Sequence, residues 1–193
     1  MDRRLITVGG TVLALLILVS GFLYATRKPV FYGTLISPAN PAPPINLTDS
    51  NGQPFSLSDQ HGKVVLLYFG FTNCPDECPA TMAKLKLTMD LLGNLAQNVQ
   101  VVMVTTDPVN DTQTQMKKWM TGFYPTFLGL LGSPDQLQAA YKNYGVVVED
   151  GGETHTTYLY VIDPKGNLRL TFIGPDMDPQ QVANDVQILV KGN

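Results

Sequence analysis

The run Val64–Phe69 (VVLLYF) is continuously apolar and rich in β-formers, and it leads straight into the segment FGFTNCPDECP, Phe69–Pro79. A strand with no polar alternation has no face to offer water, so it must be covered on both sides. That requirement restricts the chain to a layered α/β architecture in which helices pack on a central sheet. A second buried strand is expected at Val99–Thr105 (VQVVMVT). Between the two, Ala80–Leu95 places Met82, Leu85, Met89 and Leu92 at helical spacing, which predicts an amphipathic helix.

Flanking signals extend the pattern. Asn51-Gly52 inside INLTDSNGQPFSLSDQHGK marks a hairpin turn between two short strands. Asp111 or Thr112 can cap a helix running through Trp119 and Met120, and a short strand is expected at Phe127–Leu130. Ser133-Pro134 opens a helix over Asp135–Tyr144, using proline at a first helical position. Thr156–Ile162 and Leu168–Ile173 read as a hairpin about Asp163-Pro164-Lys165-Gly166, and Asp178-Pro179 starts a last helix through Val190. Strands and helices in this order predict an α/β sandwich of thioredoxin-like type, a central mixed sheet flanked by helices.

The chain's start obeys other rules. Leu5–Ala25 contains no charged residue, and 21 residues suffice to cross a bilayer core. The stretch exceeds a signal peptide's apolar region and lacks a small-x-small cleavage site, so an uncleaved transmembrane helix is expected. Arg3 and Arg4 precede it and Arg27 and Lys28 follow; the free amino terminus tips the count toward an N-inside topology. Residues 1–4 would then be cytoplasmic and 5–25 the anchor in a bacterial cytoplasmic membrane. Residues 26–44, with SPANPAPP at 37–44, would form an extended spacer. The folded domain, 45–193, would lie on the outer side. With a net charge of −3 and no basic run beyond short pairs, a nucleic-acid partner is excluded.

Only two cysteines occur, Cys74 and Cys78, at the expected strand–helix junction. A disulfide across so short a loop would restrain little of the unfolded chain, so stapling is a poor reason for the pair. The edge where buried strands end and helices begin is where α/β sheets collect ligands. The helix amino terminus favours thiolates there, while Asp76 and Glu77 oppose that effect. Residues four apart on a regular helix share a face with Cβ atoms about 5–6 Å apart, wider than a relaxed disulfide but suited to gripping a soft cation. Monovalent copper is the ion that thiolates favour at low coordination.

Histidine is equally scarce. His61, in the turn DQHGK, reads as an exposed loop residue. His155, in GGETHT before a predicted strand, returns toward the cysteine edge. Two thiolates and one imidazole make a three-coordinate site suited to Cu(I) and, with adjustment, Cu(II), whereas structural zinc would lack its fourth protein ligand. Asp107, ending VMVTTDP at the same edge, could orient His155 or act on the thiols; equally it could be a turn residue before Pro108. Met82, Met89, Met116 and Met120 read as helix core. Met177, in GPDMDP, could lend an axial contact, though exposed filler is the plainer reading.

Taken together, FGFTNCPDECP, VMVTTDP and THTTYLYVIDPKG resemble the Sco/SenC family of copper chaperones over about Ile45–Lys191, anchor and spacer included. The resemblance implies a thioredoxin-like fold with an inserted hairpin. It implies copper held by Cys74, Cys78 and His155, with Asp107 functionally important, and delivery of that copper to the CuA centre of cytochrome c oxidase or to another copper protein. The family usually flanks the histidine with Asp and Ser; here Thr154 and Thr156 stand there, so a neighbouring carboxylate is lost. Two other functions suit the same thiols. One is thiol–disulfide exchange that reduces a partner's copper-site cysteines; the other is redox or copper sensing.

Overall fold

In the computed structural model, residues 29–149 and 154–192 are described, together with 16, 17, 19 and 20; for residues 154 and 155 the description covers the backbone alone. The chain forms two units, Met1–Val30 and Phe31–Asn193. Most of the expected anchor lies outside the described residues; residues 16, 17, 19 and 20 are helical. No helix among the described residues is long and apolar enough to cross a membrane.

In the second unit the elements run β1 (Thr34–Pro41), β2 (Asn46–Asp49), β3 (Pro54–Ser56), β4 (Val64–Gly70), α1 (Glu77–Leu92), β5 (Val99–Thr105), α2 (Gln113–Phe123), β6 (Leu128–Leu131), α3 (Pro134–Tyr144), β7 (Val148–Glu149), β8 (Thr154–His155), β9 (Tyr158–Ile162), β10 (Asn167–Ile173) and α4 (Pro179–Val190). Eight strands make one mixed sheet in the order β1-β10-β9-β4-β5-β6-β2-β3. β4 pairs in parallel with β5 and antiparallel with β9, so it is central. β7 and β8 form a separate two-stranded ladder, a hairpin inserted between α3 and β9.

All seven residues of β4 are buried, as its unbroken hydrophobicity demands, and successive side chains feed different cores. Val64, Leu66 and Tyr68 pack with Met82, Leu85 and Met89 of α1, Met116 and Met120 of α2, and Val182 and Val186 of α4. Val65, Leu67 and Phe69 pack on the opposite face with Leu137, Tyr141 and Tyr144 of α3. The helices begin where local chemistry closes their first turns. Thr112 accepts from Gln115 N–H, Asp178 accepts from Gln180 N–H, and Ser133 with Gln136 forms a reciprocal capping box.

Several expectations are corrected. Part of the proline-rich segment belongs to the sheet: β1 pairs antiparallel with β10, and the compact unit begins at Phe31, ahead of Ile45. Proline is tolerated there because an edge strand needs partners on one side only, and the register slips between Leu35 and Asn40 around Pro38. At its entry, the Tyr32 and Gly33 amides both donate to the Asp185 carboxylate, at 2.9–3.1 Å. α1 starts at Glu77, three residues earlier than its apolar spacing suggests, and therefore includes Cys78. Met177 is buried in the α1–α4 core and is not exposed filler. His61 is exposed, as expected of a loop residue.

Candidate metal centre

β4 ends at Gly70, and the chain crosses Phe71–Asp76 before α1 begins, so the two cysteines are not neighbours on one regular helix. Cys74 lies in the loop and Cys78 in the first helical turn. Both are free thiols. The Asp76 side chain makes no capping bond. Instead the Cys78 N–H donates to Cys74 Sγ at 3.4 Å, giving one of the helix's orphan amides a sulfur acceptor. The two sulfurs also differ in exposure, Cys74 being half-buried and Cys78 wholly buried.

Cys78 is seated among core atoms. Its Sγ lies 4.0 Å from the Tyr68 hydroxyl. Burial pushes the Cys78 thiol well above its ordinary range, while a backbone hydrogen bond from Phe71 pulls the other way. Tyr68 is raised as well, first by burial and then by the neighbouring Cys78. Two glycines make room. A Cβ on Gly70 would stand 2.8 Å from both Cys78 Sγ and Tyr68 Cε1, and one on Gly174 would stand 2.9 Å from both Tyr68 Cε2 and Thr81 Oγ1. The Gly174 amide donates to Thr157 O at 2.7 Å, tying the loop before α4 to the segment that follows His155.

The His155 backbone pairs with Val148 in the β7–β8 ladder, and its side chain lies outside the described part of the structure. β9 runs antiparallel to β4 with Leu159 opposite Tyr68, so the chain enters β9 at the sheet edge where β4 ends. Among the described residues no group of three His, Cys, Asp or Glu side chains gathers closely enough to hold a metal ion.

Asp107 also lies at this edge, beyond the end of β5, and is buried. Both its carboxylate oxygens accept from the Asn110 side chain at 2.8–3.1 Å, and its carbonyl accepts from the Asp111 amide at 2.9 Å. These bonds make it the keystone of a turn, the plainer of its two expected roles. The carboxylate that reaches the cysteine loop is Asp111, which accepts from the Thr72 amide and hydroxyl. In sequence either Asp111 or Thr112 could cap the helix; Thr112 takes that position, which releases Asp111 for other partners. Tyr68 was hidden for another reason, since an aromatic residue inside a buried strand reads simply as core.

A cysteine pair at the head of the helix that follows the central strand of such a sheet defines a thioredoxin-like domain. Sequence comparison refines this: the SCO1/SenC family profile matches residues 35–191, and the chain belongs to that family. It is 37% identical over 135 residues to a Stutzerimonas stutzeri protein named as copper-binding, covering 69% of this chain and 64% of that protein. It is 33% identical over 147 residues to the mitochondrial protein SCO2 of Saccharomyces cerevisiae, covering 71% of this chain and 48% of the relative. The chain thus spans between about half and two-thirds of these two relatives. Among solved structures, Bradyrhizobium japonicum ScoI with copper bound superposes with a TM-score of 0.71 at 29% identity, covering 78% of this chain and 99% of that one.

Proposed function

We propose that this chain is a membrane-anchored copper carrier that binds the ion through Cys74, Cys78 and His155. It would present its domain outside a bacterial cytoplasmic membrane and pass copper to the CuA centre of cytochrome c oxidase or to another copper protein. The carrying observation is the pair of free thiols at the sheet edge, with the Cys78 amide on Cys74 Sγ at 3.4 Å. Two thiols are a soft donor set, which suits Cu(I) better than harder ions. The copper-binding name of the Stutzerimonas relative and the copper in the Bradyrhizobium structure support the same ion. The destination and the orientation rest on the family resemblance and on the charges around Leu5–Ala25.

Copper loading must deprotonate both thiols, and the burial that raises Cys78 makes that proton the harder one to lose. Cys74, nearer solvent, is the donor that an incoming partner ligand can displace first. In the test, the full chain in detergent is reduced and titrated with Cu(I) against a competing chelator. One tightly held copper per chain is expected, and His155→Ala should lose most of that binding. Absence of stoichiometric binding, or full binding in His155→Ala, refutes the site.

The unequal burial of the two sulfurs favours thiol–disulfide exchange as a second reading. The Cys74 thiolate would attack a partner disulfide to form a mixed disulfide. The Cys78 thiolate would then attack the Cys74 sulfur, releasing the partner as a dithiol and leaving this pair oxidised. That chemistry is indifferent to His155, so the same variant separates the two readings.

A further inference from the structure

We infer that Asp111 is a positioning residue for the cysteine pair, holding the Phe71–Asp76 loop in its ligand-presenting path through Thr72. The inference rests on the reading of the pair as a metal centre and adds a residue to it.

The Asp111 side chain is 3% exposed, and three donors converge on its two oxygens. Oδ1 accepts from the Thr72 amide at 3.1 Å and from the Thr72 hydroxyl at 2.5 Å. Oδ2 accepts from the Thr105 hydroxyl at 2.6 Å. Thr105 Oγ1 in turn accepts the Asp107 amide at 3.0 Å, and Gln115 of α2 donates to Thr72 Oγ1 at 2.6 Å and to Asn73 Oδ1 at 3.2 Å. One carboxylate therefore joins the end of β5, the start of α2 and the loop that leaves β4. Thr72 stands two residues before Cys74, whose amide donates to Phe71 O. The clamp thus acts where the chain's direction into the cysteine loop is set.

A charged acceptor suits this place because the Thr72 amide and the Thr72 and Thr105 hydroxyls all donate to it, and each hydroxyl oxygen is already engaged by another donor. Hydrogen bonds to an ionised group are shorter and roughly twice as strong as neutral ones. Asparagine keeps one acceptor oxygen where three donated bonds converge on two, so at least one of those bonds is lost. With the clamp loosened, the loop departs from the path that buries Cys78 and sets the Cys74 sulfur on the Cys78 amide.

The experiment uses the full chain, reduced, with two readouts. The first is Cu(I) affinity by chelator competition, together with the thiolate-to-copper charge-transfer spectrum of the Cu(II) form. The second needs no copper: the alkylation rate of Cys78 by iodoacetamide, resolved from that of Cys74 by mass spectrometry. Asp111→Asn and Thr72→Val should each weaken Cu(I) binding about tenfold or more, the scale seen when groups supporting metal ligands are removed. Both should shift the charge-transfer spectrum and speed Cys78 alkylation, and Thr72→Ser, which keeps the hydroxyl, should restore wild-type behaviour. Asp185→Ala removes a buried carboxylate at the β1 entry and lowers stability without touching the loop, so it should change neither the spectrum nor the alkylation. Wild-type spectra and Cys78 alkylation in Asp111→Asn and Thr72→Val overturn the inference, as does an Asp185→Ala variant that reproduces their changes. If the wild type binds no copper, the metal reading fails while the alkylation arm still decides the role of Asp111.

Discussion

Gly70→Ala tests whether the seat of Cys78 is as tight as its geometry implies. The added methyl would lie 2.8 Å from Cys78 Sγ, 2.8 Å from Tyr68 Cε1 and 3.3 Å from Met103 Sδ. Carbon atoms at van der Waals contact stand about 3.5–4.0 Å apart, so the two nearest neighbours must each give way by roughly 0.7 Å or more. Neither can do so freely: Tyr68 lies inside the central strand and Cys78 in the first turn of α1. Overpacking of this kind costs about 1–3 kcal/mol. The stiffer unfolded chain returns about 0.4–1 kcal/mol, because Gly70 does not need positive φ. A net loss of roughly 0–2.6 kcal/mol follows, centred on about 1.3 kcal/mol, which is about 3–5 °C in Tm for a domain of this size. Urea unfolding measures the loss, and Cys78 alkylation reports whether the sulfur has moved. Gly122→Ala in α2, with nothing within 4 Å of the new methyl, is the matched control and should gain about 0.5–1 kcal/mol. A Gly70→Ala protein with unchanged stability and unchanged Cys78 alkylation would refute the reasoning.

Two further outcomes concern pH. Burial raises the Cys78 thiol, so in the metal-free protein at neutral pH iodoacetamide should label Cys74 first and Cys78 far more slowly; equal rates would contradict the seat described here. By linkage, the Cys78 contribution to stability is present below the ordinary thiol range and is lost as pH climbs through its raised folded value. Asp185 is also raised, by burial against the opposing Gly33 and Tyr32 amides, so its contribution is full below the ordinary carboxylate value and falls as pH rises through the folded one. Asp185→Asn removes this falling contribution, so stability should rise more steeply with pH over that interval than in the wild type; an unchanged slope would show that Asp185 does not titrate as described.

The buried centre of the fold was legible because hydrophobicity there leaves one arrangement open. Val64–Phe69 and Val99–Thr105 admit no solvent face, and both are wholly buried central strands. Ser133 and Asp178 announce their helices because capping is local chemistry. β1 was not legible. Its prolines and polar residues make no alternating pattern, and its partner in the ladder, Asn167–Ile173, lies far along the chain. The site divided the same way. The cysteines declare themselves by type and spacing, whereas Asp111 acquires its role only when Thr72 and Thr105 are brought beside it by the sheet. The side chain of His155 lies outside the described residues, so its part rests on spacing, topology and resemblance.

The alternation of β4 has a consequence for engineering. Tyr68 faces the sulfur of Cys78, while the adjacent Phe69 faces Tyr141, Tyr144 and Tyr160, with ring centroids 5.6–6.0 Å away. A designer therefore has two nearly separate libraries on one strand. The aromatic side can be recombined for heat resistance without altering a single atom that meets the cysteines, provided the total volume against Phe69 is kept. An insertion or deletion of one residue in Val64–Gly70 has no such freedom, because it exchanges the two faces and takes the Tyr68 hydroxyl away from Cys78 Sγ.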